Sequence, residues 1–297
     1  MQPQWVPYAF GLSAVLLWST VATAFKLALA QMTPIQLVLL AALVSIVFLG
    51  SVVIWQGKWR LCGRQFQAQP KFYIITGLLN PLAYYWVLFQ AYDLLPAQQA
   101  QPLNYTWPVV LSLLAVPVLG QKLRSVDVIA AALAYFGVLV IATSGNLLAL
   151  EFESPLGVAL ALASTLLWAS YWLLNTKDKG DPVVSLLLSF VTSLPFIAAL
   201  TLFTDGWPEL TLKSFAGAAY VGLFEMGLTF VLWLMALKKA QQSDSVSTAS
   251  ISNLAFISPV LSLFFIAAIL KESLQISTFV GLAMIITALG FQKLKRS

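Results

Sequence analysis

The stretch Leu103-Asn104-Tyr105-Thr106-Trp107-Pro108-Val109 places an amide, a phenol, a hydroxyl, an indole and a proline inside an apolar run from Gln99 to about Gly120. A run of about 20 residues is long enough for a helix to cross the hydrocarbon of a bilayer. At about 1.5 Å per residue, Trp107 would lie roughly 13 Å deep, near the midplane. Polar groups at that depth face other helices or a wet cavity. The stretch therefore predicts either a tightly packed, kinked membrane helix or a cavity wall.

The composition is that of a polytopic membrane protein. Of the 297 residues, 60% are hydrophobic and 9% are charged, whereas a soluble domain carries about 25% charged residues. The single cysteine, Cys62, excludes an intramolecular disulfide, and the lack of histidine removes the commonest catalytic base and metal ligand. Because the sequence also lacks a phosphate-cradling loop, a metal cluster and a nucleophile triad, we predict no enzyme and no cofactor. The placement of the basic residues that give the net charge of +5 reflects the membrane topology, so this charge does not indicate a nucleic-acid partner.

The sequence predicts an all-α integral membrane protein with ten transmembrane helices. Each apolar run is close to the roughly 20 residues that a membrane helix needs, and the connections are short. The predicted spans cover residues of about 8–29, 34–55, 72–95, 99–120, 126–145, 155–177, 182–203, 214–237, 247–270 and 275–293.

Basic residues predict the orientation of these spans. With both termini in the cytoplasm, 13 of the 16 lysines and arginines fall in inside loops, in agreement with the positive-inside rule. Only Lys26, Lys213 and Lys271 fall outside. We therefore predict a multi-pass protein of the bacterial-type inner (plasma) membrane, with the lipid bilayer and a small-molecule substrate as its partners.

The chain contains an internal duplication. Three short motifs recur in the same order at spacings of 145–151 residues: Leu16–Ser19 as Leu166–Ala169, Gly77–Asn80 as Gly222–Glu225, and Tyr105–Val109 as Phe256–Val260. Each half carries five predicted helices, an odd number, so the second half must enter the membrane from the opposite face. We predict two inverted five-helix repeats, residues 1–148 and 149–297. Secondary transporters often have this architecture, with the binding site near the midplane.

The five-plus-five helices, the Leu-Leu-Trp-Ser of helix 1 and the Pro-Val pairs of helices 4 and 9 resemble the drug/metabolite transporter superfamily, EamA type. The mid-span aromatic residues resemble its aromatic amino-acid exporter branch. The resemblance implies a basket of helices 1–4 and 6–9 around a central cavity, with helices 5 and 10 at the rear. Many members carry Gly-Glu after helices 4 and 9, whereas this chain has Gly120-Gln121 and Lys271-Glu272.

Aromatic and small polar residues at mid-span depth are the candidate substrate contacts. Membrane tryptophans and tyrosines normally lie at the interfaces, so mid-span rings belong either to helix packing or to a cavity. Aromatic walls with a few hydroxyls and amides suit an amphipathic or planar organic solute. The candidate substrate-binding residues are Trp18, Asn80, Tyr84, Tyr105, Trp107, Trp168, Glu225, Ser250 and Ser258.

Glu225 is the one acidic residue that the sequence places at the midplane, in helix 8. An ionisable group at that depth is a functional-site hypothesis by default. It would relay a proton, hold a substrate ammonium or pair with a basic residue; otherwise it is a protonated glutamate hydrogen-bonded between helices. The lack of paired midplane Lys or Arg counts against a phosphorylated substrate.

The prolines Pro108 and Pro259 occupy equivalent positions of helices 4 and 9 and predict a kink in each. We expect the kinks to gate alternate vestibules, with Gln101 and Asn104 exposed toward the outside and Ser247 and Ser250 toward the cytoplasm; the alternative is a static bundle.

The sequence thus predicts a secondary transporter of small organic solutes that works by alternating access. By resemblance, it exports amino acids, including aromatic ones. The alternatives are an exporter of other metabolites or of drug-like cations, and a membrane-embedded enzyme or receptor.

Overall fold

A computed structural model describes residues 5–119, 125–148, 152–242, 251, 254–255 and 257–294. The chain divides into two compact units. The first comprises Met1–Leu82 and Lys179–Phe265, and the second comprises Ala83–Asp178 and Ile266–Ser297. Each unit therefore combines segments from both halves of the sequence.

The described residues form helices, and no strand occurs among them. In chain order the α-helices are α1 (Trp5–Leu29), α2 (Pro34–Trp55), α3 (Trp59–Ala68), α4 (Pro70–Gly77), α5 (Tyr84–Leu94), α6 (Ala97–Asn104), α7 (Trp107–Leu119), α8 (Ser125–Ala142), α9 (Pro155–Asn175), α10 (Pro182–Thr204), α11 (Leu212–Tyr220), α12 (Leu228–Gln241), α13 (Ile257–Phe265) and α14 (Ile276–Leu294). Three π-helical segments, Leu78–Ala83, Val221–Glu225 and Ile266–Leu270, follow α4, α11 and α13.

Within the described ranges, six helical segments are long and apolar enough to cross a membrane. They are Trp5–Leu29, Pro34–Trp55, Pro70–Leu94, Pro155–Asn175, Pro182–Thr204 and Leu212–Ala240. Shorter apolar helices cover Val128–Ala142, Ile257–Leu270 and Ile276–Phe291. The chain is thus a helical, multi-pass membrane protein, as predicted. The predicted span 99–120 is not one continuous helix, because α6 ends at Asn104 and α7 begins at Trp107.

Proline in the first turn and a capping side chain before it set the start of three long helices. The hydroxyl of Thr33 accepts the N–H of Gln36 at the start of α2, and the Gln36 side chain accepts the N–H of Thr33 in return. The side chains of Ser154 and Asp181 accept backbone N–H groups at the starts of α9 and α10. Because the first-turn N–H groups have no partner within the helix, these residues fix the helix boundaries.

Two glycines allow helix backbones to touch in the first unit. Gly77, at the end of α4, lies against the backbone carbonyl of Ser189 in α10, and Gly222 lies against the carbonyl of Ala41 in α2. At both positions a Cβ atom would overlap that carbonyl. Such close approach lets helices pack through van der Waals contact where lipid supplies no hydrophobic drive.

In the second unit, α8 packs along α14 and α9 packs against α5, α6 and α7. The α8–α14 contact centres on two facing glycines. A Cβ added to Gly137 would lie 2.7 Å from the carbonyl oxygen of Gly281, and a Cβ added to Gly281 would lie 2.5 Å from that of Gly137. Neither glycine can be replaced without separating the helices.

The helix α3 was not predicted, because its residues were interpreted as a basic loop. Its preceding residue, Lys58, forms an ion pair of 2.6 Å with Asp181, and the Gln65 side chain accepts the Asp181 N–H at 2.9 Å.

Burial raises the pKa of the Cys62 thiol above its usual value, and the negative charge of Asp181 adds to the effect. Cys62 is therefore a poor thiolate nucleophile at neutral pH. The pattern of apolar and basic residues at helical spacing was the signal for α3.

Replacing Gly77 or Gly222 with alanine is expected to destabilise the first unit, because the added methyl group overlaps a neighbouring backbone carbonyl. Overpacking of this kind costs about 1–3 kcal/mol. Gly50→Ala is the matched control, since a Cβ there meets no atom within 4 Å and alanine is the better helix former by roughly 1 kcal/mol. The midpoint of thermal unfolding in detergent, with size-exclusion chromatography as the readout, measures the difference in stability. Equal midpoints for all three variants would contradict the close approach.

Candidate functional site

The predicted site residues fall into the two units. The first unit holds Trp18, Asn80, Glu225, Ser258 and Pro259, and the second holds Tyr84, Tyr105, Trp107, Pro108 and Trp168. Ser250, like Ser247, lies outside the described residues. Within each unit the structure gives these side chains specific neighbours, several of which the sequence did not indicate.

An aromatic cluster occupies the second unit. The rings of Tyr84 and Trp168 stack at 4.5 Å with 27° between their planes, and Trp107 meets Trp168 edge to face at 6.5 Å. Tyr171 stacks on Trp168 at 5.7 Å, and Trp172 approaches it edge to face at 5.8 Å. Trp168 is only 8% exposed, whereas Trp107 is half-buried. Trp107 thus keeps accessible surface, and Trp168 is the ring on which the cluster packs.

Tyr171 and Trp172 were not among the predicted site residues. Both lie on α9, three and four residues after Trp168, and side chains at these spacings share one helix face. That spacing was the available signal. The indole N–H of Trp172 has no hydrogen-bond acceptor among the described residues. Because a buried indole N–H usually finds a partner, Trp172 is a further candidate for a polar substrate contact.

The predicted kink region of helix 4 is a break between α6 and α7. Pro108 lies in the first turn of α7, where a missing N–H leaves no hydrogen bond unmade. The N–H of Tyr105 donates to the carbonyl of Gln101 at 3.0 Å, and the N–H of Val109 donates to that of Thr106 at 2.9 Å. Tyr105, half-buried, therefore sits at the break itself. Pro259 lies likewise in the first turn of α13.

The expected exposure of Gln101 and Asn104 is wrong for this structure, because both side chains are buried. Asn104 donates a hydrogen bond of 2.9 Å to the hydroxyl of Ser164 on α9. Ser164 in turn donates to the carbonyl of Ala161. Asn104 thereby ties α6 to α9 through a satisfied polar contact.

In the first unit, Trp18 of α1 contacts two rings of α12. It packs against Trp233 at 5.2 Å and against Phe230 edge to face at 6.4 Å. Trp18 remains half-buried, as Trp107 does in the second unit. Neither Phe230 nor Trp233 was among the predicted site residues.

Glu225 ends the π-helical segment Val221–Glu225 and is 8% exposed. Hydroxyl groups donate hydrogen bonds to carbonyls of the irregular backbone around it. Ser45 of α2 donates to the Met226 carbonyl at 3.1 Å, and Thr229 donates to the Phe224 carbonyl. Since lipid offers no hydrogen bonds, such side chains are what make a broken helix tolerable at membrane depth. The carboxyl group is therefore held on a segment whose shape is fixed by its neighbours.

Asn80 lies where the chain leaves helical geometry, at φ −145° and ψ 114°. Its side chain is fully buried, and neither its amide nitrogen nor its oxygen has a hydrogen-bond partner among the described residues. The hydroxyl of Ser258, also fully buried, is in the same condition. A buried polar group without a partner costs about 1–3 kcal/mol, so each of these two groups calls for a specific explanation.

The chemistry available in the two units is that of binding. Aromatic faces accept apolar or cationic groups, amides and hydroxyls donate and accept hydrogen bonds, and the carboxyl group of Glu225 accepts a cation. Within the described residues, no group of three or more histidine, cysteine or acidic side chains forms a metal site.

Comparison with known proteins places this fold in a family. The profile of the EamA-like transporter family matches residues 5–143 and again residues 155–291. The chain is 26% identical to the aromatic amino acid exporter YddG of Ancylobacter novellus, over 85% of this chain and 84% of that protein. It is 26% identical to protein PecM of Dickeya dadantii, over 87% and 84%. It is also 22% identical to the uncharacterized transporter YvbV of Bacillus subtilis, over 73% and 70%.

A solved crystal structure shares the fold, with a TM-score of 0.67 and 20% sequence identity over 97% of this chain and 98% of that one. The family profile covers nearly the whole sequence. The chain therefore belongs to the EamA-like transporter family.

Proposed function

We propose that the chain is a secondary transporter that exports small organic solutes, amino acids and aromatic ones among them, by alternating access. The observation that carries this proposal is the match of a transporter family over both halves of the chain. The similarity to an aromatic amino acid exporter over 85% of the chain supports the substrate class. The bacterial relatives and the distribution of basic residues support an inner-membrane location with both termini in the cytoplasm.

The proposal includes ten membrane spans in two inverted repeats, residues 1–148 and 149–297. The two separate matches of the family profile support the duplication. Equivalent pairs of contacts support it further. Gly77 of the third predicted span packs on α10, which is the seventh span. Its counterpart Gly222 of the eighth span packs on α2, which is the second. The fifth and tenth spans, which are equivalent to each other, meet at Gly137 of α8 and Gly281 of α14. Inverted repeats give a transporter two related conformations from one design.

Each unit contributes its own proposed substrate contacts. In the first unit these are the carboxyl group of Glu225, for a substrate ammonium, together with Trp18 and the buried polar groups of Asn80 and Ser258, which have no hydrogen-bond partner among the described residues.

In the second unit, Trp107 is the proposed contact because its ring is half-buried, and Trp168 and Tyr84 position it. Tyr105 and Ser250 remain in the proposed set. Pro108 and Pro259 remain the proposed gating points.

A membrane-embedded enzyme would use the same residues for chemistry rather than for passage. The sequence has no histidine to serve as a general base, and the relatives that carry a functional name are transporters or exporters. Recovery of unaltered solute on the far side of the membrane distinguishes the two functions.

Proteoliposomes containing the purified chain are expected to take up labelled tryptophan or threonine with saturable kinetics. The control is protein-free vesicles of the same lipid, and chromatography of the recovered label establishes whether the solute is unchanged. Flux equal to that of empty vesicles across a broad panel of amino acids, other metabolites and organic cations would overturn the proposed function.

Trp107→Ala is expected to lower transport by up to roughly tenfold, because an aromatic contact contributes about 0.5–1.5 kcal/mol beyond its buried area. Trp207→Ala is the matched control, since Trp207 is 64% exposed and also loses an indole. Initial rates in proteoliposomes, normalised to reconstituted protein, give the comparison. If both variants transport at the wild-type rate, Trp107 contributes only packing.

Glu225→Gln is expected to lower amino acid transport about tenfold or more, as the loss of a charged hydrogen bond of roughly 1.5–3 kcal/mol implies. We expect no dependence on a proton gradient in the wild type, because the equivalent residue is the uncharged Asn80 and the chain has no histidine. Glu209→Gln, at an exposed position, controls for the loss of charge. Rates with and without a pH gradient test both statements. Acceleration of the wild type by the gradient, lost in Glu225→Gln, would identify a proton relay instead.

A further inference from the structure

A basic cleft of about 640 Å³ opens in the first unit where α2 and α12 end. Three lysines line it, namely Lys58, Lys238 and Lys239, together with the apolar side chains of Trp55 and Met235. None of the residues assigned to transport above lies in this cleft.

The charge of the cleft is not cancelled by the neighbouring groups. Asp181 pairs with Lys58 at 2.6 Å and uses its other oxygen to cap α10. Lys238 and Lys239 have no acidic partner within 4 Å in the described part of the chain. The net positive charge therefore comes from these two ammonium groups, and the site favours an anion.

The ends of two candidate membrane spans place the cleft at the expected level of the lipid headgroups. It sits at the carboxyl ends of two apolar segments, Pro34–Trp55 and Leu212–Ala240, each long enough to cross the hydrocarbon. Trp55 is 87% exposed, as befits an indole at the boundary between hydrocarbon and water. On the same helix, exposed Val47 and Ile54 continue an apolar stripe away from the cleft. An occupant with an anionic head and an apolar tail meets complementary groups at both ends.

One further group in the cleft lacks a partner. The side-chain oxygen of Gln56 is buried and accepts no hydrogen bond from the described residues. Gln56 is one of the residues that line the cleft, and its side-chain amide is a polar, uncharged group there that can pair with the hydroxyls of a glycerol headgroup. A soluble phosphate ester offers the anion and the hydroxyls but leaves the apolar stripe uncovered.

We propose that this cleft binds the headgroup of an anionic phospholipid, with the phosphate on Lys238 and Lys239 and the acyl chains along the exposed face of α2. Basic pockets between membrane helices bind anionic lipid headgroups in this way. Bound lipid bridges the ends of α2 and α12 and so stabilises the first unit. The inference is independent of the transported solute.

The test uses the full chain purified in detergent and titrated with phosphatidylglycerol or phosphatidylcholine, with bound lipid counted by native mass spectrometry. The wild type is expected to retain phosphatidylglycerol preferentially. Because each lysine near an anionic lipid contributes about a fivefold gain in affinity, the double variant Lys238→Gln, Lys239→Gln is expected to bind it more than tenfold more weakly. The double variant Lys177→Gln, Lys179→Gln removes the same charge at exposed positions and is expected to bind normally.

Any of three outcomes would overturn the proposal. The first is equal retention of the two lipids by the wild type, and the second is unchanged retention by the Lys238, Lys239 variant. The third is displacement of phosphatidylglycerol by millimolar glycerol 3-phosphate or inorganic phosphate, which would assign the cleft to a soluble phosphate ester. The substitutions lie at half-buried or exposed positions, and a monodisperse elution profile verifies that each variant is folded.

Discussion

Backbone hydrogen bonding in the absence of water is the constraint on which this structure depends. A membrane helix satisfies its own N–H and C=O groups, and any interruption leaves some of them without partners. The chain nevertheless interrupts its helices around Asn80, between Asn104 and Trp107, and at Val221–Glu225. Side-chain hydroxyls serve the carbonyls freed near the breaks, as Thr229 and Ser45 do beside Glu225. The breaks are therefore supported features, and they carry the side chains proposed to meet the substrate.

The glycines follow from the same physics. Between lipid-embedded helices there is little hydrophobic drive, so close van der Waals contact has to hold them together. The backbone of Gly77 on Ser189 and that of Gly222 on Ala41 supply such contact at equivalent positions of the proposed repeats. Each glycine lies next to the start of a π-helical segment, which begins at Leu78 in one case and at Val221 in the other.

The sequence was informative wherever one physical term dominated. Six of the ten predicted spans are long apolar helices in the described part of the chain, because removing about 20 apolar residues from water outweighs any local preference. The helix break before Trp107 was only partly predictable. Pro108 indicated the break, but the position of α6 at the break depends on the hydrogen bond from Asn104 to Ser164, which joins residues 60 positions apart. The packing of Trp168 against Tyr84 depends on tertiary geometry in the same way, and so does the ion pair that anchors α3.

The two mid-span asparagines show what the structure adds to the site. The sequence made Asn80 a candidate substrate contact and predicted that Asn104 is exposed toward the outside, but it could not show the hydrogen-bond partners of either amide. In the structure Asn104 donates to Ser164 and links two helices, which is a packing role. Asn80 is buried, and neither of its amide atoms has a hydrogen-bond partner among the described residues. A buried amide without a partner lowers the stability of the fold, so a substrate that supplied the missing hydrogen bonds would recover their free energy on binding. This difference between the two asparagines supports the proposal that Asn80 is a substrate contact.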